Sequence, residues 1–339
     1  MKVLFIGGTG NISTSCSKQA LGAGMDLFHL NRGVRKVPMP GVKNLVADIS
    51  DPKQCRQVLS DHSWDVVVNW IAFTPEEVQR DFDFFAGKTK QYIFISSASA
   101  YQKPPSHPVI TESTPLKNPY WDYSRNKIAC ELLLEKFYRE KDFPVTIVRP
   151  SLTYDTVLPV IGSWTDYTVA RRMEEGRKII IHGDGTSLWT ITHADDFARG
   201  FTGLIGHQQA TGHAFHITSD EMLNWNQIYE ALAEALDVEL KAIHIPSEFI
   251  CRAAESIGMD MWGTLLGDKS HSVIFDNSKI KRFVPAFQAV IPFREGIKRT
   301  IAWFREEKNR MLVLEENNRM MDFVIAAYEK ALVQIPTQK

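Results

Sequence analysis

The chain has 339 residues, with 39 basic and 40 acidic side chains and a net charge of −1, and is long enough to bury a large core. Its charges are mixed and form no basic stripe, which argues against nucleic acid as a main partner. No apolar run approaches the length of a membrane span, and no signal segment precedes the first strand.

Lys2 to Ile6 is a short apolar run of the kind expected of a buried parallel strand. Gly7-Gly-Thr9-Gly10-Asn11-Ile12-Ser13 follows at once, and Ile12, Cys16 and Ala20 then recur at helical spacing. Strand, glycine turn and helix is the context of a dinucleotide fingerprint, in which Gly7 and Gly10 let the backbone approach a pyrophosphate lying on the helix N-terminus. Ser13 takes the place of a third small residue, and the lack of a following Gly-Lys-Ser/Thr excludes the phosphate loop of NTPases.

A second strand, Asp26 to Leu30, runs into Asn31-Arg32-Gly33, where no acidic residue is present to accept the ribose hydroxyls of NAD. Arg32, helped by Arg35, can instead pair with a 2′-phosphate, so NADP is preferred and NAD is the alternative. Asp48 ends a third strand (Asn44 to Asp48) and is placed to meet the adenine amino group. Its competing role is to cap the next helix, with Asp51 as the rival cap.

Tyr92 to Ile95 reads as a further strand, followed by Ser96-Ser97-Ala98-Ser99-Ala100-Tyr101. Tyr123 and Lys127 stand four apart on a helix running to Glu140, whose apolar stripe is Ala129, Leu132, Leu133 and Phe137. A free phenol has a pKa of about 10 and is a poor base at neutral pH; a nearby ammonium favours the phenolate. A serine after the Tyr92 strand can hydrogen-bond the reacting oxygen beside Tyr123.

Alternating strands and helices to about Pro150 give an α/β fold, a Rossmann-type doubly wound parallel sheet. Beyond it, a helix over Trp164 to Glu175, strands at Lys178 to His182 and His213 to Thr218, and a helix from Asn224 to Leu236 indicate a smaller, helix-rich C-terminal substrate lobe. His213 and His216 are read as strand residues, not metal ligands. Residues 307–333 read as one long helix that docks on its own domain or makes a homodimer contact. The expected division is a dinucleotide-binding domain over 1–155, a lobe over 156–306 and a C-terminal helix over 307–339. The four cysteines, Cys16, Cys55, Cys130 and Cys251, are scattered with no Cys-x-x-Cys, so no metal site or disulfide framework is expected, and the setting is read as reducing and cytoplasmic.

Taken together, Gly7-Gly-Thr-Gly10, Asp48-Ile49, Ile95-Ser-Ser97-Ala-Ser-Ala-Tyr101, Tyr123-Ser-Arg-Asn-Lys127, Val148-Arg-Pro150, Gly183-Asp-Gly185 and His193-Ala-Asp-Asp196 resemble the short-chain dehydrogenase/reductase superfamily. The match is to its extended, epimerase/dehydratase-like branch and covers roughly residues 1 to 300. The resemblance implies Ser97, Tyr123 and Lys127 as catalytic residues, with Tyr123 as general acid/base in hydride transfer at a carbinol carbon of a sugar-like or other small hydroxylated or carbonyl substrate. It implies cofactor contacts at Gly7, Thr9, Gly10, Asn11, Ile12, Asn31, Arg32, Asp48, Ile49, Ile71, Ala72, Tyr123, Lys127, Pro150, Ser151 and Leu152. It also returns the chain to the sheet at about residues 190–220 and turns Ser99, Trp164 and Trp189 toward the substrate.

Two departures stand out. Trp189 occupies the place of an arginine that clamps the diphosphate of a nucleotide sugar, with Arg171 or Lys279 as substitutes for that charge. Asn31-Arg32-Gly33 resembles an atypical subgroup that includes the chloroplast stem-loop-binding proteins, so a non-catalytic dinucleotide-sensing or RNA-binding protein is the alternative. Ala98-Ser99 stands where a dehydratase carries Asp-Glu, which lowers that reaction; dehydrogenase and epimerase both stay open.

Overall fold

The computed structural model describes residues 1–34, 39–60 and 62–334; Arg35 lies outside the described residues. Seven parallel strands form the central sheet: β1 (Lys2–Ile6), β2 (Asp26–Asn31), β3 (Lys43–Val46), β4 (Trp64–Asn69), β5 (Thr89–Ile95), β6 (Val145–Pro150) and β7 (Ala214–Ile217). Their spatial order is β3-β2-β1-β4-β5-β6-β7, so the direction of winding reverses between β1 and β4. A crevice opens outside the carboxyl ends of the strands at such a switch point, and ligands bind there.

Alternation along β1 explains why both faces are covered. Val3 and Phe5 pack with Cys16 and Ala20 of α1 (Ser13–Gly22) and with Phe197 and Phe201 of the helix Ala194–Leu204. Leu4 and Ile6 face the other way, into a cluster holding Cys55 of α2 (Pro52–Leu59), Val78 of α3 (Pro75–Phe85), and Cys130 and Leu134 of α4 (Asp122–Lys141). Strands buried on both faces read as continuous apolar runs, as Lys2–Ile6 does. Asp51, not Asp48, caps α2: its carboxylate accepts from Lys53 N and Gln54 N. The third core cluster fills the C-terminal lobe around Trp225, Tyr229 and Met321.

Two expected helices differ. The Trp164–Glu175 helix forms only from Thr168 to Glu174, because Asp166 takes the Ser163 hydroxyl (2.9 Å) and Thr168 N (3.0 Å) and so holds the chain in a turn. The single helix over 307–333 is interrupted. A helix Phe293–Glu306 ends at Glu307 in extended conformation, and a new one runs Glu315–Val333. Between them a 3-10 turn, Lys308–Arg310, leads into a stretch that bonds the lobe, Leu312 O accepting from Tyr167 N (2.7 Å) and Leu314 N donating to Thr168 Oγ1 (2.9 Å). The last helix buries Met320, Met321, Val324 and Ile325 against its own lobe, and Arg172 donates to Asp322 (2.8 Å).

Candidate active site

The glycine turn is shaped by what lies under it. Gly7 has φ +84°, a conformation that suits glycine, and a Cβ there would strike Ile71. A Cβ on Gly8 would collide with the His29 ring, which burial keeps neutral by lowering its pKa to about 4. Ser13 is more than small: its hydroxyl donates to Gly7 O (3.1 Å) and accepts from Gly10 N (2.8 Å). Asn11 ties the turn to the segment after β6, donating to Thr153 O (2.9 Å) and accepting from Thr156 N (3.1 Å). At the start of α1, Ile12 offers no side-chain cap and the first turn holds no acidic residue; Thr14 N donates to Gly10 O (3.0 Å) and Cys16 N to Ile12 O (3.3 Å), and the positive end of this ten-residue helix borders the cavity at Ile12 and Ser13. The close, Cβ-free approach and the uncapped helix fit a dinucleotide pyrophosphate.

Outside the carboxyl ends of β1, β4, β5 and β6 lies a cavity of about 720 Å³. Gly7, Gly10, Asn11, Ile12, Ile71, Ser97, Ser99, Tyr123, Lys127, Pro150, Ser151, Leu152 and Trp164 all border it, so the structure brings these expected residues to one space. Thr9 closes the turn, its N–H donating to Gly7 O (3.0 Å). Ala72 contributes its carbonyl, which accepts from Lys127 Nζ at 2.7 Å.

Lys127 also donates to Ile95 O (2.8 Å), and its ammonium lies over the Phe73 ring at 4.5 Å. Burial lowers its pKa to about 8. Tyr123 is pushed the opposite way, up to about 12, chiefly by burial; the Ser97 hydroxyl favours the phenolate by hydrogen bonding and the Asp268 carboxylate opposes it. Within the chain, therefore, burial outweighs any lowering of Tyr123 by Lys127. The neighbouring serines part company at the end of β5. Ser96 is turned inward and donates to Glu131 Oε1 (2.5 Å), itself held by Arg149 (2.5 Å), while Ser97 faces the cavity with Ser99 Oγ at 2.9 Å.

Where the adenosine is expected, at the end of β2, Asn31 accepts from Gly33 N (2.9 Å), and Arg32 is exposed. Asp48 accepts from Ser50 N (2.9 Å) and Ser50 Oγ (2.7 Å); these bonds, with the Arg32 charge as a smaller contribution, hold its carboxyl below the usual range. Ile49 is buried beside it. None of these four borders the cavity.

Trp189 is a correction. Its indole is 2% exposed and packs 5.7 Å from the Trp225 ring with Lys103 Nζ over it at 5.5 Å, so it belongs to the lobe's core and forms no substrate wall. The opposite wall is made instead by Trp121, Trp164, Asp166, Met261, Thr264, Asp268 and Lys269. Asp268 and Lys269 pair at 2.9 Å on a π-helical turn, Leu265–Lys269, a distortion frequent at functional sites. No sequence spacing marks them; they arrive by tertiary packing, Trp121 lying against Gly263 and Gly267. Among the described residues no group of three His, Cys, Asp or Glu side chains is arranged to hold a metal, and His216 bonds Tyr101 (3.1 Å) and Asp276 O (2.8 Å).

Residues 3–218 match the sequence model of the NAD dependent epimerase/dehydratase family. The chain is 23% identical over 296 residues to the 2′-dehydrokanamycin reductase of Streptomyces kanamyceticus, covering 85% of this chain and 80% of that protein. It is 23% identical over 288 residues to the human dTDP-D-glucose 4,6-dehydratase, covering 78% and 75%. Among solved structures, an epimerase from Methanothermobacter thermautotrophicus superposes with TM-score 0.73 at 17% identity, covering 91% and 94%. A UDP-glucuronic acid 4-epimerase from Bacillus cereus, solved with UDP-glucuronic acid and NAD, gives 0.71 at 16%, covering 90% and 99%. The chain belongs to the NAD dependent epimerase/dehydratase family. It is an enzyme with a Rossmann-type fold, and the RNA-binding alternative finds no support in these relatives.

Proposed function

We propose that this family member moves a hydride at a carbinol carbon of a sugar-like substrate that carries no nucleotide diphosphate, with Tyr123 as general acid/base. The observation that carries the reading is the convergence of Ser97, Tyr123 and Lys127 on the cavity that the glycine turn also borders. The dinucleotide, when bound, supplies the hydride acceptor or donor and a positive ring that favours the phenolate.

The chain's own residues do the rest. Gly7, Gly10 and the start of α1 hold the pyrophosphate. Lys127 spends two of its three donors on Ala72 O and Ile95 O, leaving one for a ribose hydroxyl. Tyr123 takes or returns the hydroxyl proton, and Ser97 donates to the same substrate oxygen. NADP is the preferred cofactor, because Arg32 offers a cation where no acid stands at positions 31–33.

The exclusion of a diphosphate rests on charge. Among the described lining residues no arginine is present, and the ammoniums are Lys127, engaged by carbonyls, and Lys269, paired with Asp268. Arg171 pairs with Glu174 (3.0 Å) and Lys279 lies over Phe215 (4.9 Å), neither on the cavity. A relative named for a dehydrokanamycin substrate is in keeping with a sugar that lacks a nucleotide. Ala98 and Ser99 leave no acid/base pair for dehydration. Free, buried cysteines support a reducing, cytoplasmic setting; a homodimer would use the exposed Phe323, Leu332 and Val333, and sedimentation velocity decides it.

Two measurements test this reading. NADPH oxidation at 340 nm across a panel of keto-sugars and aminoglycoside ketones is expected to reveal turnover. Calorimetry of NADP-loaded protein is expected to give no micromolar binding of UDP- or dTDP-sugars, and micromolar binding of either would overturn the diphosphate exclusion.

A further inference from the structure

Three serine hydroxyls form a file that ends at the reacting centre. Ser124, fully buried in the first turn of α4, donates to Ser99 Oγ at 2.7 Å. Ser99 Oγ lies 2.9 Å from Ser97 Oγ, and Ser99 N donates to the same Ser97 oxygen at 3.2 Å. Asn118 fixes the backbone of this turn, its amide donating to Ser99 O (2.8 Å) and to Gly267 O (2.7 Å).

A hydroxyl has one proton to donate and two lone pairs to accept with, so the protons along this file can be counted. Ser99 Oγ already accepts from Ser124; across the 2.9 Å to Ser97 Oγ either hydroxyl can be the donor, and the direction that gives the Ser99 proton a protein partner runs from Ser99 Oγ to Ser97 Oγ. Ser97 Oγ then accepts twice, from Ser99 N and Ser99 Oγ, which fills its lone pairs. Its single proton is left for the cavity. We propose that Ser124 and Ser99 are positioning residues that lock Ser97 as a hydrogen-bond donor, aimed at the oxygen shared by Tyr123 and the substrate.

The consequence is electrostatic. A donor whose direction is set in advance stabilises a developing oxyanion without reorganising, and aligned hydroxyls polarise one another in a site of low dielectric. The same donor favours the phenolate of Tyr123, in keeping with the downward pull of Ser97 on that group. Without Ser99 Oγ, Ser97 Oγ loses one of the two donors that set its direction, and Tyr123 loses a committed donor.

The inference rests on Tyr123 being the acid/base, but its test needs no substrate. The protein is prepared with 13Cζ-tyrosine, loaded with NADP+, and Tyr123 is assigned by comparison with Tyr123→Phe. Ser99→Ala and, from the far end of the file, Ser124→Ala are each expected to raise the Tyr123 titration by about one pH unit, the tenfold change of one weakened charge-assisted hydrogen bond. Ser99→Thr, which keeps the hydroxyl, restores the wild-type value. In a Ser97→Ala background Ser99→Ala adds nothing. An unchanged titration in both alanine variants, with wild-type circular dichroism and NADP+ affinity, overturns the proposal. So does a Ser99→Ala shift that persists without Ser97. Failure of Tyr123→Phe to abolish turnover would instead strike the reading of the active site and leave the file of serines standing.

Discussion

The two ends of the dinucleotide groove are built on different physical terms. At the inner end Lys127 is 1% exposed, its ammonium solvated by Ala72 O and Ile95 O, and Tyr123 is displaced far from its ordinary pKa by burial. At the outer end Arg32 stands exposed and Asp48 is occupied with Ser50 at the surface. Coulombic and hydrogen-bond terms are several-fold larger in the enclosed region and are screened by water and salt outside it. On the proposed reading, proton transfer is confined to a few fixed groups, while the choice between two dinucleotides is left to a weak and adjustable contact.

The inner end breaks first. Tyr123→Phe removes one hydroxyl from a packed site, so fold and cofactor affinity should survive while turnover falls about 10²- to 10⁴-fold, the usual worth of a positioned acid/base. Turnover within tenfold of wild type, measured with a substrate found in the keto-sugar panel, would take Tyr123 out of the chemistry.

A second test at the same end uses stability. Asp81 is fully buried and accepts from Tyr92 Oη (2.6 Å) and from the Asn69 amide, whose carbonyl in turn accepts from Ile71 N (2.8 Å). It thus supports the turn whose Ala72 carbonyl accepts from Lys127. Burial raises its carboxyl to about 6, above the unfolded value of about 3.9. The folded chain then binds the proton more tightly, so this contribution is fully present below about pH 4 and is lost as pH rises through 6, roughly 3 kcal/mol in all. Urea melts from pH 4 to 7 should show that loss, and Asp81→Asn should flatten it. A wild-type curve without the slope would mean that Arg80, 3.5 Å away, keeps the carboxylate charged in the folded state.

How much was legible follows the same division. Lys2–Ile6, the glycine turn and α4 were readable because backbone geometry and periodicity dictate them: a turn needs its glycines, and residues four apart share a helix face. The inward turn of Ser96 was not, since it depends on Glu131 and Arg149, which come from other elements. Trp189 carries an aromatic ring that serves a core or a ligand wall equally well, and only the packing of Trp225 and Lys103 around it decides. Asp268 and Lys269 sit on a turn whose place over the cavity is set by Trp121 against two glycines, a contact between segments over a hundred residues apart in sequence. The break at 307–314 escaped because its cause lies in Tyr167 and Thr168, which bond the intervening backbone.

The smallest expected effect belongs to the outer end and bears directly on the comparison. Arg32→Ala should weaken NADP and leave NAD nearly unchanged, because only the 2′-phosphate offers the guanidinium a charged, bidentate partner. Exposure limits the gain: a surface ion pair is worth about 1 kcal/mol or less, so roughly fivefold in Kd is expected at low ionic strength. Raising the salt should shrink the difference between wild type and variant, as the Debye length falls toward the length of the contact. The Tyr123 titration, shielded at the inner end, should not move in this variant. Titrating both dinucleotides against both proteins at two salt concentrations reads all of this together. Equal weakening of NAD and NADP, or a wild-type preference for NAD, would take the selection away from Arg32. A difference that persisted undiminished in high salt would show that the outer end is as enclosed as the inner one when the cofactor is held, and the contrast between them would fail.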